Sequence, residues 1–317
     1  MATPDARMPV YLDCDTGIDD AVALAYLLGH PLVDLVGIGT VFGNTSAAQA
    51  AGNTLGLLAA AGRDDVPVAI GAHDPLRGRF AGGSAHVHGA NGVGGVELPA
   101  PLHPPVDDED AAGMLARLAR AHAGRLRVVA VGPATNLALA VRRDPELAGR
   151  VHSVTIMGGS IDAPGNVSLV AEANFRNDPL AAAAVLSAPW PVVLVPLDVT
   201  MQHTFDEAHR QRLLAAPAPL PRLLGEMLDT YLGFYTTRYG GDRRCALHDP
   251  LAAAIAVGEV GGLGWRHGRF HVVDDEGPDH GRVVELEPDP EHPDAPTGAV
   301  LRADAGVDEL LLRRILG

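Results

Sequence analysis

The 317 residues predict a single α/β domain with a mostly parallel central sheet flanked by helices. Three observations carry this. Near-continuous Val/Ile/Leu runs of strand length alternate with helix-length apolar segments, the pattern of strands buried on both faces and joined by crossover helices. Apolar residues make up 47% of the chain but aromatics only 4%, so Ala, Val and Leu must fill the core. The 37 glycines and 25 prolines punctuate apolar segments as turns, and they form no linker long enough to separate one domain from another.

In chain order, strands are predicted at "PVYLDCD", "VDLVGIGTV", "VPVAI", "RVVAVG", "SVTIMGG" and "PVVLVPLDV". Helices are predicted at "DDAVALAYLLG", "SAAQAAGNTLGLLAAAG" and "AAGMLARLARAHAG". Two segments break the rhythm. Residues 71–106 are Gly/His/Pro-rich, and residues 200–248 read as mostly helical, with "LLGEMLDTYLGFYTTRYG" the clearest stretch. Ligands of open α/β sheets bind beyond the carboxyl ends of the strands, so both segments are expected to act as flaps there. Near the end, "FHVVDDEGPDHGRVVELE" suggests a hairpin and "GVDELLLRRILG" a last helix, both structural.

Composition excludes several functions. The formal net charge is −15 and no Lys/Arg block offsets it, so nucleic acid is not an expected partner. No run of about 18 apolar residues predicts a membrane span. The first residues lack the basic-then-apolar pattern of a secretory signal. Cys14 and Cys245 make no disulfide framework, and the cytoplasm is the expected compartment.

The chemistry is concentrated in "VYLDCDTGIDDAVALAYLLG", residues 10–29. Asp13 and Asp15, two apart at a strand end, face the same side. Asp19 and Asp20 fall in the first helical turn, where the dipole favours negative charge. Capping explains one or two of these carboxylates, not four. Like charges this close call for a hard cation with oxygen ligands. Cys14, on the other face, belongs to the core. Later strands end in further short polar groups: "PATN" at 133–136, then Asn166, Glu172, Asn174 and Asp178, then His248 and Asp249. Asp178 before Pro179 has the place of an N-cap, and Asp249 before Pro250 equally so. Gathered at one sheet edge, amides and carboxylates suit a polyhydroxylated substrate better than a phosphate. No P-loop and no GxGxxG after a strand is present. A bound cation, a carboxylate base and a histidine acid together predict a hydrolase.

"DCDTGIDDAVAL" resembles the N-terminal signature of the nucleoside hydrolases, the inosine–uridine-preferring group especially. The resemblance continues through "VFGNT", "HVHGANGVGG", "VGPATNLALA", "IMGG", the "GN" ending at Asn166, "AEANFRNDP" and "HDPLAAA", in order over most of the chain. It implies a nucleoside hydrolase-like fold, a homodimer or homotetramer, and one Ca²⁺ at the bottom of an active-site cleft. Asp15, Asp20 and Asp249 would bind that ion through carboxylates and Thr135 through its backbone carbonyl. Asp15 would also take a proton from the water that attacks the anomeric carbon. Asp19, Asn174 and Asp249 would meet the ribose on the ion's side, Asn166 and Glu172 its 5′-hydroxyl, while Asn44 lines the ribose pocket. Asp13 would support the ligands from behind. His248 would protonate or orient the departing base, and His88 matches a histidine near the base pocket, with His86 a surface residue.

A histidine directly before the last aspartate is a mark of the inosine–uridine and cytidine–uridine groups. The purine-specific group relies instead on aromatic stacking, which two tryptophans, Trp190 and Trp265, support poorly. Two departures stand out: Thr16 where many members have proline, and Ala173 where some carry an aromatic close to the sugar. In "FYTTRYG", Phe234, Tyr235, Arg238 and Tyr239 are equally readable as base contacts and as a core stripe. A haloacid dehalogenase-type phosphatase fits less well, because Gly17 stands where its signature needs Thr or Val. A hydrolase of other ribosides, or a nucleoside-binding protein without catalysis, shares the same ribose-end residues.

Overall fold

The computed structural model describes residues 7–287 and 297–317. Six strands open the main sheet: β1 (Met8–Cys14), β2 (Val33–Thr40), β3 (Val68–Ile70), β4 (Leu126–Ala130), β5 (Val151–Met157) and β6 (Val192–Val195). They lie side by side in the order β3-β2-β1-β4-β5-β6, all parallel. The strand Thr297–Arg302 extends the sheet parallel to β6, and Gly264–His267 closes it antiparallel. The last two strands are absent from the sequence reading. Gly264–His267 is only four residues long, and Thr297–Arg302 gains its place only by pairing with β6 from a distant region of the chain.

The order places the site. The chain winds outward from β1 to β3, then returns to lay β4 on the other side of β1. Asp13 sits opposite Ala130 in that pairing. The segments leaving two adjacent strands here turn to opposite sides of the sheet, which opens a crevice at their carboxyl ends. Asp15 follows β1 and Thr135 follows β4 into that crevice.

Alternation along the strands divides the core. Val10, Leu12 and Cys14 pack into one hydrophobic cluster, which contains most of helix Ile18–Gly29 and helix His248–Ala256. Tyr11, Val128, Ala130, Val154 and Ile156 join the other, with helices Ala111–Ala121, Thr135–Arg143 and Pro179–Ser187. Helix Ile18–Gly29 is buried from Ile18 to Leu27 without a solvent face, as an apolar helix at a domain centre must be. Its Gly29 is obligatory, because a Cβ there would lie 2.0 Å from the Arg314 carbonyl oxygen.

The "PVVLVPLDV" run, expected as one strand, divides. β6 stops at Val195, and Pro196, with no N–H for the ladder, starts the helical turn Leu197–Thr200. Residues 71–106 hold little regular structure beyond the turn Ala85–His88. Residues 200–248 hold a small ribbon (Thr204–Asp206 with Arg244–Ala246) and helices Glu207–Leu214 and Pro219–Tyr239. The tail hairpin pairs Arg269–Val272 with Val283–Leu286, and helix Val307–Leu316 ends the chain, as expected.

Candidate active site

One cavity at the sheet edge is lined by Asp19, Asn44, His88, Asn166, Glu172, Asn174, His248 and Asp249, all expected from sequence to meet substrate or base. Asp13, Asp15, Asp20 and Thr135 lie buried in the same region.

The carboxylates divide by what holds them. Asp13 accepts from the Tyr11 hydroxyl (2.9 Å) and from Asn136 Nδ2 (3.0 and 3.3 Å), a fully enclosed arrangement behind the cavity. Burial pushes its pKa up to about 7 against the pull of those two donors. Asp15 accepts from the Asn44 backbone N–H (2.6 Å) and Nδ2 (3.2 Å). Asp20 accepts from the backbone N–H groups of Gly17 (2.8 Å) and Asp15 (3.1 Å), so it closes the turn before its own helix. Burial first, then Asp19, raises it to about 7. Asp15 and Asp249 are raised too, by burial first and then by their neighbouring carboxylates.

Carboxylate oxygens of Asp19, Asp20 and Asp249 come within 4.8 Å of one another. Asp19 Oδ1 is buried and has no hydrogen-bond partner among the described residues. Asp20 and Asp249 belong to the ligand set expected from sequence. Asp19 joins them in this cluster, while the Asp15 carboxylate is turned to Asn44. The Thr135 hydroxyl is committed to Asp178 Oδ2 (2.7 Å). An unpartnered buried oxygen among crowded carboxylates fits a divalent cation with oxygen ligands. Asp249 does not cap its helix: Leu247 holds that position, and Asp249 lies in the first turn. Asp178 does cap, accepting from the Ala181 N–H at 3.1 Å.

Asn174 and Glu172 come from the turn after β5. Glu172 accepts backbone N–H groups of Gly159 (2.9 Å), Asn174 (2.8 Å) and Phe175 (3.1 Å), and its pKa nevertheless rises to about 7 through burial. Asn174 donates its amide to the Val131 (2.9 Å) and Met157 (3.1 Å) carbonyls, which fixes the amide plane. Asn166 Oδ1 accepts the Ala173 N–H at 3.0 Å.

The opposite wall is aromatic. His248 is held at both ring nitrogens, by the Thr200 hydroxyl on Nδ1 (2.7 Å) and the Tyr235 hydroxyl on Nε2 (2.6 Å). Burial lowers its pKa to about 4, so the resting imidazole is neutral near pH 7. Tyr231 donates its hydroxyl to Asp19 Oδ2 (2.8 Å) and stacks on His88 at 5.4 Å between ring centroids. His88 Nδ1 accepts the Ile18 N–H at 3.1 Å. Phe234, Tyr235 and Tyr239 line the cavity; Arg238 lies over the Tyr239 ring instead. His86, exposed as expected, also lines it.

Two contributors escaped the sequence reading, Tyr231 and Thr200, and Asn136 enters it only as part of "PATN" with no role of its own. Tyr231 carried a signal, since Tyr231, Tyr235 and Tyr239 recur every four residues on one helical face. Thr200 and Asn136 carried none beyond their positions just after strands.

The model of the inosine-uridine preferring nucleoside hydrolase family matches residues 10–307. The chain belongs to this family. Like the other nucleoside hydrolases it is an enzyme of N-glycosidic bond hydrolysis. It is 36% identical over 254 residues to a probable uridine nucleosidase of Arabidopsis thaliana, covering 79% of this chain and 77% of that one. With the inosine-uridine preferring nucleoside hydrolase of Crithidia fasciculata it shares 35% identity over 250 residues, 78% of each chain. Among solved structures, a purine-preferring ribonucleoside hydrolase from Gardnerella vaginalis superposes with a TM-score of 0.92 at 30% identity, covering 98% of both chains. The fold and the enzyme class expected from the motifs are therefore established.

Proposed function

We propose that this nucleoside hydrolase cleaves inosine-, uridine- and cytidine-type ribonucleosides to free base and ribose with Ca²⁺ as its cofactor. The observation that carries the reading is the unpartnered Asp19 oxygen beside Asp20 and Asp249, facing a cavity whose far wall is the hydroxyl-clamped His248. Asp19, Asp20 and Asp249, with Asp15 and the Thr135 carbonyl nearby, would hold the cation. When bound, it supplies Lewis acidity at the ribose end of the cavity.

The chain's own residues account for the rest. Asp15, oriented by both Asn44 donors, is the base toward the attacking water. Asp19 and Asn174 hold the ribose hydroxyls. Glu172 uses three of about four acceptor sites on backbone donors, which leaves one for the 5′-hydroxyl beside Asn166. As the C1′–N bond breaks, the sugar gains oxocarbenium character, and the surrounding carboxylates favour that charge over the neutral ground state. A departing base needs a proton. A neutral His248 is no acid by itself; once its ring has taken a proton from solvent, Tyr235 would give its hydroxyl proton to the base and take the one on Nε2, which leaves the imidazole neutral again. The 71–106 and 200–248 segments flank the same cavity as flaps of a single unit. Cytoplasmic residence and a homodimer or homotetramer complete the reading. Among the described residues no helix is long and apolar enough to cross a membrane.

The test is ribose release from inosine, uridine, cytidine and adenosine in phosphate-free buffer, before and after chelation and again with Ca²⁺ restored. Activity on inosine or uridine that disappears on chelation and returns with Ca²⁺ is expected. Full activity after exhaustive chelation would remove the cofactor from the mechanism, and release confined to adenosine would overturn the substrate class.

A further inference from the structure

Next to the nucleoside cavity lies a second cleft of opposite chemistry. Arg77, Arg79, Arg176 and His280 line it, Gly43 and Ser84 contribute to its inner wall, and no carboxylate lines it. In a chain of formal net charge −15, three guanidinium groups around one cleft are out of character. Many arginines elsewhere are neutralised by close carboxylates, as Arg117 by Glu109, Arg143 by Asp110 and Arg266 by Asp162. Arg79 has no ion pair among the described residues, and the Asp274 oxygen nearest Arg77 stands 3.9 Å away. Arg176 gives one N–H to the His280 carbonyl (2.9 Å), which leaves the rest of its fork without a partner among the described residues.

The two cavities share a wall. Ser84 lines both, and Gly43 in the cleft is followed directly by Asn44, which lines the nucleoside cavity and holds Asp15. Guanidinium forks match the oxygens of a phosphate in pairs. We propose that this cleft is an oxyanion site for a phosphate monoester or for free phosphate, set beside the ribose pocket. The site goes beyond the hydrolase reaction and requires no new bond chemistry. Its phosphate arrives either as the inorganic ion or on the 5′ end of a nucleotide.

The test is calorimetric titration of the metal-loaded protein, freed of excess cation, with inorganic phosphate at constant ionic strength. Arg77→Glu/Arg79→Glu is the comparison. These side chains are exposed, and the double variant keeps wild-type nucleoside hydrolysis in phosphate-free buffer, which also certifies its fold. The wild type is expected to bind one phosphate saturably, and the variant about ten-fold or more weakly. No saturable binding, or equal binding by both proteins, overturns the site. Uridine 5′-monophosphate then separates the sources. If it displaces phosphate and binds more tightly, with the variant losing that advantage, the anion arrives on a nucleotide; if it binds no better than phosphate, the free ion is the ligand. The phosphate titration does not depend on nucleoside turnover, so failure of either reading is visible separately.

Discussion

Tyr235→Phe deletes one hydroxyl from the aromatic wall and tests the proton path directly. The phenol oxygen lies 2.6 Å from His248 Nε2, and both residues are buried. Without the hydroxyl, Nε2 keeps no protein partner while Nδ1 stays on Thr200. An unmet buried polar group costs about 1–3 kcal/mol, which predicts a modest loss in urea unfolding. The kinetic effect is larger. Proton transfer to a leaving group contributes about 10²–10⁴-fold, or roughly 3–5 kcal/mol at the transition state. kcat for inosine and uridine should fall by that factor with KM little changed. The discriminating substrate is a p-nitrophenyl riboside, whose leaving group departs as a stable anion and needs no proton. Its kcat should stay close to the wild-type value. Equal losses on the natural nucleosides and the nitrophenyl riboside would refute the proton path and leave Tyr235 a packing residue.

The remaining predictions concern the supports of the site. Glu172 has a folded pKa near 7, above its ordinary 4.5, because burial disfavours its charge. Its stabilising contribution is therefore complete below pH 4.5 and lost as pH rises through 7, on the order of 3 kcal/mol. Glu172→Gln should gain on the wild type by that amount between pH 4.5 and 8 in unfolding experiments, and parallel curves would contradict the assignment. Asn136→Ala removes bonds to Asp13, to the Thr40 carbonyl (3.1 Å) and to the Ala72 N–H (2.8 Å), so about 3–4 kcal/mol should be missing in a denaturant titration. Gly43→Ala would set a Cβ 1.9 Å from Asp15 Oδ2 at a positive φ of 156°. Because the displaced atom belongs to the base, kcat should drop by at least about 10²-fold even if the thermal midpoint moves little; near-normal turnover would show that Asp15 tolerates displacement.

The amino-acid sequence by itself determined the strand-and-helix alternation, since runs such as "RVVAVG" and "SVTIMGG" are apolar on both faces and have no stable place except inside a covered parallel sheet. It also marked the four early aspartates, because charge repulsion over eight residues is a local property. It exposed His248 and Asp249 through their place at the start of an apolar helix. Only the tertiary structure decided which oxygens meet. Asp15 and Asp19 are equivalent in a sequence, yet contact with Asn44 occupies one and an unpartnered oxygen distinguishes the other. The clamp on His248 joins Thr200, Tyr235 and His248 across 48 residues, and Tyr231 reaches Asp19 across 212. The short strand Thr297–Arg302 likewise has meaning only beside β6. Periodicity reports which side of an element is buried. Contacts between distant segments depend on strand order and on the direction each side chain takes in the closed fold, and no local pattern encodes those.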